Sequence, residues 1–182
     1  PSEPSYRGAR VPWSVDAPTT AALRAIAERR GTTLAGVMLA VLTTALSGWT
    51  GETDVCVGMP VSGRDDPVLD DLVGMLVDTV VVRTRVDPAA SFDEHVATTG
   101  RRVREALADS AVPFEQVVRA IDAEVGDRDR DVPPLFQVML AYQDRLPTVP
   151  GIEVLDLAPA RAQVDLVVDV TETPAGLSGT IT

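Results

Sequence analysis

The chain has 182 residues, and its 27 acidic and 16 basic side chains give a formal net charge of −11. This length suits one compact domain or one lobe of a larger one. An acidic surface repels phosphate backbones and anionic lipid, so the composition argues against nucleic acid and membrane partners.

The first third of the chain alternates strand and helix signals. Residues 1–8 are rich in Pro, Ser and Gly and are interpreted as an entry linker. Residues 10–15 are predicted to form a strand, and a helix follows that ends at Arg30 before Gly31. The next helix, residues 34–46, is apolar nearly all round, so we expect it to lie at the centre of the core and to be ended by Gly48 and the Gly51 turn.

The remaining two thirds contain the other predicted elements. Residues 76–86 give the strongest strand signal, and their continuous hydrophobicity predicts a central strand. The pattern predicts helices at 91–110 and 114–121, a polar loop at 62–70, and further strands at 54–61, 135–142, 152–157, 163–171 and 176–182. Mixed helices and strands predict an α/β (α+β) sandwich, a mixed sheet packed by helices. The chain stops inside a predicted strand, so we expect a piece cut from a longer protein.

Cys56 is the only cysteine and lies in an apolar run. A single thiol builds no disulfide framework, which favours a reducing, cytoplasmic location. A small buried hydrophobe is the ordinary interpretation of such a residue.

Asp78 and Arg64 lie at the ends of predicted strands. Asp78 interrupts an apolar strand, where an unpaired carboxylate is costly. It is either a strand-end aspartate bonded to backbone or arginine, or a polar group that lines a cleft. Arg64 follows the strand at 54–61, and it is either a surface charge or a fixed ion-pair partner that reaches into a cleft.

Asp165 and Asp169 are spaced so that both point to the same face of a strand. That face is either open to water or carries a paired general acid and base. His95 is the single histidine and is interpreted as a boundary or surface residue. Without a second histidine or clustered cysteines we expect no metal site and no catalytic residue in this chain.

Several segments together resemble the C-terminal lobe of nonribosomal peptide synthetase condensation domains. GMLVDTVVVR at 74–83 resembles the motif G-x-x-V-N-T-L-x-x-R, and SAVPFE at 110–115 resembles H-Q-D-x-P-F-E. The other matching segments, in the family's order, are Tyr6-Arg7-Gly8, DVCVGMPVSGR at 54–64, PLFQ at 134–137, Tyr142-Gln143-Asp144 and Val164-Asp165-Leu166. The resemblance places residues 9–182 in this lobe, cut short at its C-terminal end.

The resemblance implies a chloramphenicol-acetyltransferase-like fold of two lobes. It also implies amide formation between two thioesters, each tethered to the phosphopantetheine arm of a peptidyl carrier protein, with no cofactor bound to the domain itself. The catalytic motif H-H-x-x-x-D-G belongs to the N-terminal lobe, and this chain has no His-His pair. We therefore expect the chain to be inert without that lobe, and to self-associate through the apolar interface that excision exposes.

The resemblance also assigns supporting roles. Arg64 matches an arginine that forms a salt bridge with the catalytic motif's aspartate across the lobe interface. Gln143, Asp144, Asp78 and Asp165 fall at tunnel or interface positions. Asp78 and Asp144 stand where the family often has asparagine, which removes a donor and adds possible negative charge. Asp109 replaces the histidine before P-F-E, and Val132 replaces the arginine before PLFQ.

These departures leave two other functions open. One is a degenerate condensation-like platform that docks carrier proteins or a tailoring enzyme. The other is an acyltransferase that uses coenzyme A thioesters, for which Arg101, Arg102 and Arg104 are the only candidate phosphate site. The ordinary interpretation of that cluster is a solvated helix face.

Overall fold

The structure is a computed structural model, and it describes residues 8–64, 66–125, 134–143, 151 and 164–182. The described helices are α1 (Ala17–Arg30), α2 (Leu34–Thr50), α3 (Phe92–Ala108) and α4 (Phe114–Val125), with a 3-10 turn at Pro67–Leu69. The described strands are β1 (Val11–Asp16), β2 (Asp54–Val61), β3 (Asp78–Arg85), β4 (Val138–Gln143), β5 (Leu166–Thr173) and β6 (Gly176–Ile181). The predicted linker, apart from Gly8, and the predicted strand at 152–157 lie outside the described residues.

The strands form one mixed sheet in the order β1-β6-β5-β4-β2-β3. The β2–β4 and β4–β5 pairs are parallel, and the other pairs are antiparallel. Helix α1 packs on β6, α2 on β2 and α3 on β3. One core cluster joins these helices to the sheet, so the predicted mixed sheet packed by helices is confirmed.

Local sequence signals explain where the helices begin and end. The side chains of Asp16, Thr33 and Ser91 accept hydrogen bonds from the first-turn N–H groups of α1, α2 and α3. Ser91 also forms a reciprocal capping box with Glu94. Gly31 and Gly51, both in the left-handed region, end α1 and α2.

Helix α2 lies at the centre of the core, as its sequence predicts, since Val37, Leu39 and Ala40 are fully buried. The helix does not end at Gly48 but continues to Thr50, and it ends at the predicted Gly51 turn. A Cβ at Gly48 would meet no atom within 4 Å, so this glycine lies on an open side of the helix where nothing forces a break.

The predicted central position of β3 is wrong. Among the described strands β3 lies at an edge of the sheet, next to β2 alone. Only one face of the strand packs under α3, through Val80, Val82 and Thr84, while Arg83 on the other face is exposed. A continuous apolar run predicts cover on both faces, but it does not predict a neighbour on both edges.

His95 is buried, with 5% of its surface exposed, so its interpretation as a boundary or surface residue is wrong. Its Nε2 lies 2.9 Å from the hydroxyl oxygen of Thr43. The Thr43 hydroxyl also lies 2.9 Å from the carbonyl of Leu39, and a hydroxyl that donates to that carbonyl accepts from the Nε2–H tautomer of His95. Burial lowers the pKa of His95 below its ordinary value.

We expect the protein to lose stability as the pH falls below about 6.5. A base whose pKa is lowered on folding binds fewer protons in the folded than in the unfolded chain, so acid favours unfolding. The free energy of unfolding should fall by at most about 1.4 kcal/mol per pH unit in this range. Urea unfolding at pH 7.5 and 5.5 measures the change.

His95→Gln is the control for this effect, because Gln can still donate to Thr43 and does not titrate. His95 is the chain's only histidine, so the variant should show no comparable fall between the two pH values. An equal fall in the variant would contradict the assignment to His95.

Within the described residues no single helix is both long and apolar enough to cross a membrane, although the sharply bent pair α1 and α2 meets the length and composition test when taken together.

Candidate functional site

The predicted residues Arg64 and Asp78 lie at the same end of the β2–β3 pair. Val61, the last residue of β2, is opposite Asp78, the first residue of β3. The chain between these strands leaves and re-enters the sheet at this end. We call residues 66–77 the strap.

Arg64 holds the strap through its backbone. The guanidinium donates to the carbonyl oxygens of Leu69 and Leu72, the second at 3.1 Å from Nη2. The partners described for Arg64 are therefore carbonyls, and it is not the lone surface charge that one interpretation expected. Five donors in a fixed planar fork suit an arginine to span two carbonyls in this way.

Gly63 lies close against the other end of the strap. Its φ is +61°, in the left-handed region. A Cβ on this residue would lie 2.0 Å from the carbonyl oxygen of Leu76, so no side chain fits without moving backbone. Arg64 therefore bonds the strap through two carbonyls, and Gly63 allows the strap backbone at Leu76 to pack closely against the turn.

The strap presents apolar side chains to solvent. Val73 is 99% exposed, Met75 is 90% exposed and Val68 is 81% exposed, and Leu72 and Val77 are also exposed. A run of large apolar side chains held in a fixed backbone and left open to water is typical of an interaction surface.

Asp78 is half-buried at the start of β3. Its Oδ1 accepts a hydrogen bond from the N–H of Thr79 at 2.7 Å. This is the contact that a strand-end aspartate makes with backbone.

Gln143 lines a polar cleft of about 260 Å³ on the sheet face opposite α1–α3. Gln143 is the last residue of β4, and its neighbour Asp144 lies outside the described residues. The other residues that line the cleft are Arg10, Ala141, Asp169, Val170, Thr171, Gly179 and Thr180.

Of the two interpretations of Asp165 and Asp169, the structure gives no support to a paired general acid and base. Strand β5 begins at Leu166, so Asp165 precedes the strand and is exposed, and it does not line the cleft. Asp169 is half-buried in the strand, and its Oδ2 accepts from the hydroxyl of Thr180 at 2.9 Å. The two carboxyls therefore do not form a shared acid–base pair.

Three of the polar residues that line the cleft, Thr171, Arg10 and Thr180, were not predicted from the sequence. Thr171 could have been found, because it is two residues from Asp169 and so shares its face of the strand. Arg10 and Thr180 reach the cleft only because β6 pairs with both β1 and β5, and no local pattern predicts that pairing.

Two of the motifs meet on the same sheet face. The rings of Phe114 and Phe136 lie 5.6 Å apart between centroids, in a tilted arrangement. A Cβ on Gly58 would lie 2.5 Å from the Phe136 ring, so that ring packs directly on the backbone of β2. Leu135 before it has a φ of +68°, and the Phe136 N–H donates to the carbonyl of Pro134 at 2.8 Å, which defines a γ-turn.

We expect Gly58→Ala to lower the free energy of unfolding by about 1–3 kcal/mol, because the methyl group overlaps the Phe136 ring. Urea unfolding measures this change. Gly48→Ala is the matched control, since open space surrounds Gly48. Phe136→Ala should make the Gly58→Ala substitution less costly, and strict additivity of the two changes would contradict the proposed contact.

Cys56 is half-buried, so it is more exposed than the small buried hydrophobe that its sequence context predicts. Partial burial still raises the pKa of its thiol above the ordinary value. The thiol is thus protonated near neutral pH and is a poor nucleophile.

Tyr142 ties the end of β4 to β5 and α1. Its hydroxyl donates to Oε1 of Glu172, and Arg24 donates to Oε2 of the same carboxylate at 2.7 Å. The Tyr142 hydrogen bond and then the Arg24 contact lower the pKa of Glu172. The three side chains join helix to sheet beside Gln143.

The arginine cluster of α3 is already engaged. Arg102 donates to Glu105 at 2.8 Å, Arg101 lies 3.8 Å from the same carboxylate, and Arg104 donates to the carbonyl of Gly31 at 2.8 Å. This is a solvated helix face and gives no support to a phosphate site. Among the described residues no group of three His, Cys, Asp or Glu side chains could hold a metal ion.

Comparison with known proteins identifies the fold and the family. The family model of the condensation domain matches residues 1–172. Phosphinothricin tripeptide synthetase PhsC of Streptomyces viridochromogenes is 38% identical over 144 residues, which are 79% of this chain and 13% of that protein. Surfactin synthase subunit 1 of Bacillus subtilis is 32% identical over 97% of this chain and 5% of its own length.

The solved structure of the X-domain in complex with OxyB from teicoplanin biosynthesis superposes with a TM-score of 0.85 at 25% identity, covering all of this chain and 41% of that chain. The sheet, the helices and these similarities define a chloramphenicol-acetyltransferase-like condensation fold. The chain belongs to the condensation-domain family of nonribosomal peptide synthetases. It spans only a small part of the synthetases that it matches.

Proposed function

We propose that this chain is the C-terminal lobe of a condensation domain that joins carrier-bound thioesters through an amide bond, and that it acts only together with the N-terminal lobe. The observation that carries this proposal is the strap. A domain that functions alone rarely exposes a contiguous set of apolar side chains on an ordered segment. An apolar surface on the N-terminal lobe is the partner that would cover them.

The other residues also support a chain that supplies substrate-lining groups but no catalytic histidine. The chain has one histidine. Its side chain is buried and hydrogen-bonded to Thr43, so it is not available as a general acid or base. In this proposal the H-H-x-x-x-D-G motif comes from the N-terminal lobe, and Gln143, Asp78 and Asp165 line the tunnel or the lobe interface. The chain itself holds no cofactor, and peptidyl carrier proteins deliver the substrates on phosphopantetheine in the cytoplasm.

Arg64 has two roles in this assembly. It holds the strap through the carbonyls of Leu69 and Leu72, and it supplies a positive charge for the catalytic motif's aspartate. We expect Arg64→Ala to weaken the association of the two lobes by about tenfold or more, the effect of losing one charged hydrogen bond. Titration calorimetry with the two separately made lobes measures it.

Arg64→Lys separates the two roles, because lysine keeps the charge and cannot span two carbonyls. If Arg64→Lys binds the N-terminal lobe like the parent, the weaker association of Arg64→Ala is due to the lost charge. If it binds like Arg64→Ala, the weaker association is due to the lost bonds to the strap. If Arg64→Ala binds the N-terminal lobe as tightly as the parent, Arg64 does not contribute to the lobe interface.

Activity is tested by mixing the two lobes with aminoacyl carrier proteins and detecting the dipeptide. We expect dipeptide only in the mixture. A stable complex without dipeptide would count against the condensing function.

A docking platform is the second candidate, favoured by the similarity to the X-domain, which forms a complex with OxyB. The departures from asparagine at Asp78 and Asp144 favour it too. The sequence of the N-terminal lobe discriminates the two functions, because an intact H-H-x-x-x-D-G supports condensation and a broken one supports a platform. Without the partner lobe, the exposed strap should also make this chain self-associate, and sedimentation tests that.

A further inference from the structure

Backbone pairing holds the end of β4 from one edge. Among the described residues, the ladder between β2 and β4 has two pairs, which involve Val138 and Met139 at the start of β4. The ladder between β4 and β5 continues to Gln143. From Leu140 onward β4 is therefore paired with β5 alone in the part of the chain that the structure describes, although β4 lies in the interior of the sheet.

We propose that Tyr142 is a positioning residue that holds this end of β4, and with it Gln143, through its hydrogen bond to Glu172. The proposal goes beyond the function given above, because it concerns how the chain keeps one site residue in place. Of its two tests, the exchange measurement is independent of that function, and the rate measurement rests on it.

The Tyr142 side chain lies directly behind Gln143. Successive side chains of a strand point to opposite faces, so Tyr142 packs on the helix side of the sheet and Gln143 lines the cleft on the other side. In the β4–β5 register Gln143 is opposite Thr171, and Glu172 is the next residue of β5. The bond from the Tyr142 hydroxyl to Oε1 of Glu172 therefore crosses the two strands at the last pair of their ladder.

Arg24 holds the acceptor of that bond. It donates from α1 to Oε2 of Glu172 at 2.7 Å, so both carboxylate oxygens are engaged. A hydroxyl that donates to a carboxylate makes a stronger bond than one between neutral groups. The ion pair itself adds little to global stability, because the Arg24 side chain is 49% exposed. Loss of the Tyr142 bond should therefore affect the end of β4 more than the fold as a whole.

Tyr142→Phe tests the proposal, because it removes the hydroxyl and keeps the ring against the core. We expect amide hydrogen exchange at the end of β4 to become about fivefold faster, the effect of losing one hydrogen bond. The Gln143 side chain should become more mobile by nitrogen relaxation, and exchange in α2 should not change. Glu172→Gln should lie closer to the parent than Glu172→Ala, because the glutamine oxygen still accepts from Tyr142.

Arg24→Ala and Arg30→Ala are a matched pair of α1 variants. Each removes an ion pair with another element, but Arg30 bonds to Asp93 of α3 and not to β5. Arg24→Ala should speed exchange at the end of β4 by a smaller factor than Tyr142→Phe, and Arg30→Ala should leave it unchanged. Arg24→Ala also keeps the proposal testable if Tyr142→Phe does not fold.

Dipeptide formation by the two lobes gives the rate measurement. At saturating N-terminal lobe, Tyr142→Phe should lower kcat about fivefold, because the same hydrogen bond no longer holds Gln143. The association of the two lobes should stay at the parent value, since Tyr142 is on the helix side of the sheet and away from the strap.

The proposal is overturned if Tyr142→Phe exchanges like the parent at the end of β4, or if its kcat stays at the parent value. It is also overturned if faster exchange extends equally to α2, which is the result expected of a bond with a merely structural role. Absence of dipeptide from the parent lobes removes the proposed function alone, because the exchange measurement still decides whether Tyr142 positions Gln143.

Discussion

Val73→Asp combined with Met75→Asp is expected to weaken the association of this chain with the N-terminal lobe by at least about a hundredfold. Both side chains are almost fully exposed here, so the chain alone should lose no more than about 0.5 kcal/mol of stability. In the complex two carboxylates would have to be buried in an apolar interface, which costs several kcal/mol. Calorimetric titration of the lobes and urea unfolding of the chain measure the two effects.

Val11→Asp is the matched control for this double variant. Val11 is also exposed, but it lies in β1, at the opposite edge of the sheet from β3. It should leave the association unchanged. Equal loss from Val11→Asp, or no loss from the double variant, would show that the strap is not the interface.

Gly63→Ala is expected to release the strap. The new methyl group would lie 2.0 Å from the Leu76 carbonyl oxygen, in a backbone conformation that disfavours a side chain. The left-handed conformation alone costs about 1–2 kcal/mol in a residue with a Cβ, and the overlap with backbone adds to it. We expect faster amide hydrogen exchange across residues 66–77 and an association with the N-terminal lobe at least about tenfold weaker.

Gly74→Ala is the matched control, because Gly74 is in the strap itself, has no positive φ and has no atom within 4 Å of its added Cβ. It should change neither exchange nor association. If Gly63→Ala exchanges like Gly74→Ala, close packing at Gly63 is not what keeps the strap in place.

The sequence predicts most of this fold because its strongest signals are local. Helix α2 is apolar nearly all round and occupies the core centre, and the bounds of β2 agree with the prediction. The position of β3 at a sheet edge was not predictable, since hydrophobicity reports cover on the faces of a strand and not which strand lies beside it.

The candidate site was only partly predictable for the same reason. Arg64 and Asp78 are adjacent because β2 and β3 form a sequence-local pair. Arg10 joins Gln143 and Asp169 through pairings between the first and last strands, a separation of about the whole chain. The carbonyl partners of Arg64 could not be predicted either, because side-chain patterns give no information on which backbone groups a turn presents.

His95 shows how a side chain at the border of a helix face is misjudged. The amphipathic pattern of α3 leaves it beside apolar positions, and the sequence does not reveal that α2 supplies Thr43 as its hydrogen-bond partner. The burial of His95 results from the packing of α2 and α3 on the same sheet. Such packing depends on the tertiary fold and cannot be predicted from the sequence of α3 alone.

The central claim is that this chain is one lobe of an active site whose acid–base residues lie in the other lobe. The most direct measurement is dipeptide formation by the two separately made lobes, with parent and strap variants in parallel. The account predicts dipeptide only when both lobes are present, and loss of product with Val73→Asp and Met75→Asp but not with Val11→Asp. Dipeptide from this chain alone, or undiminished product from the strap variant, would contradict it.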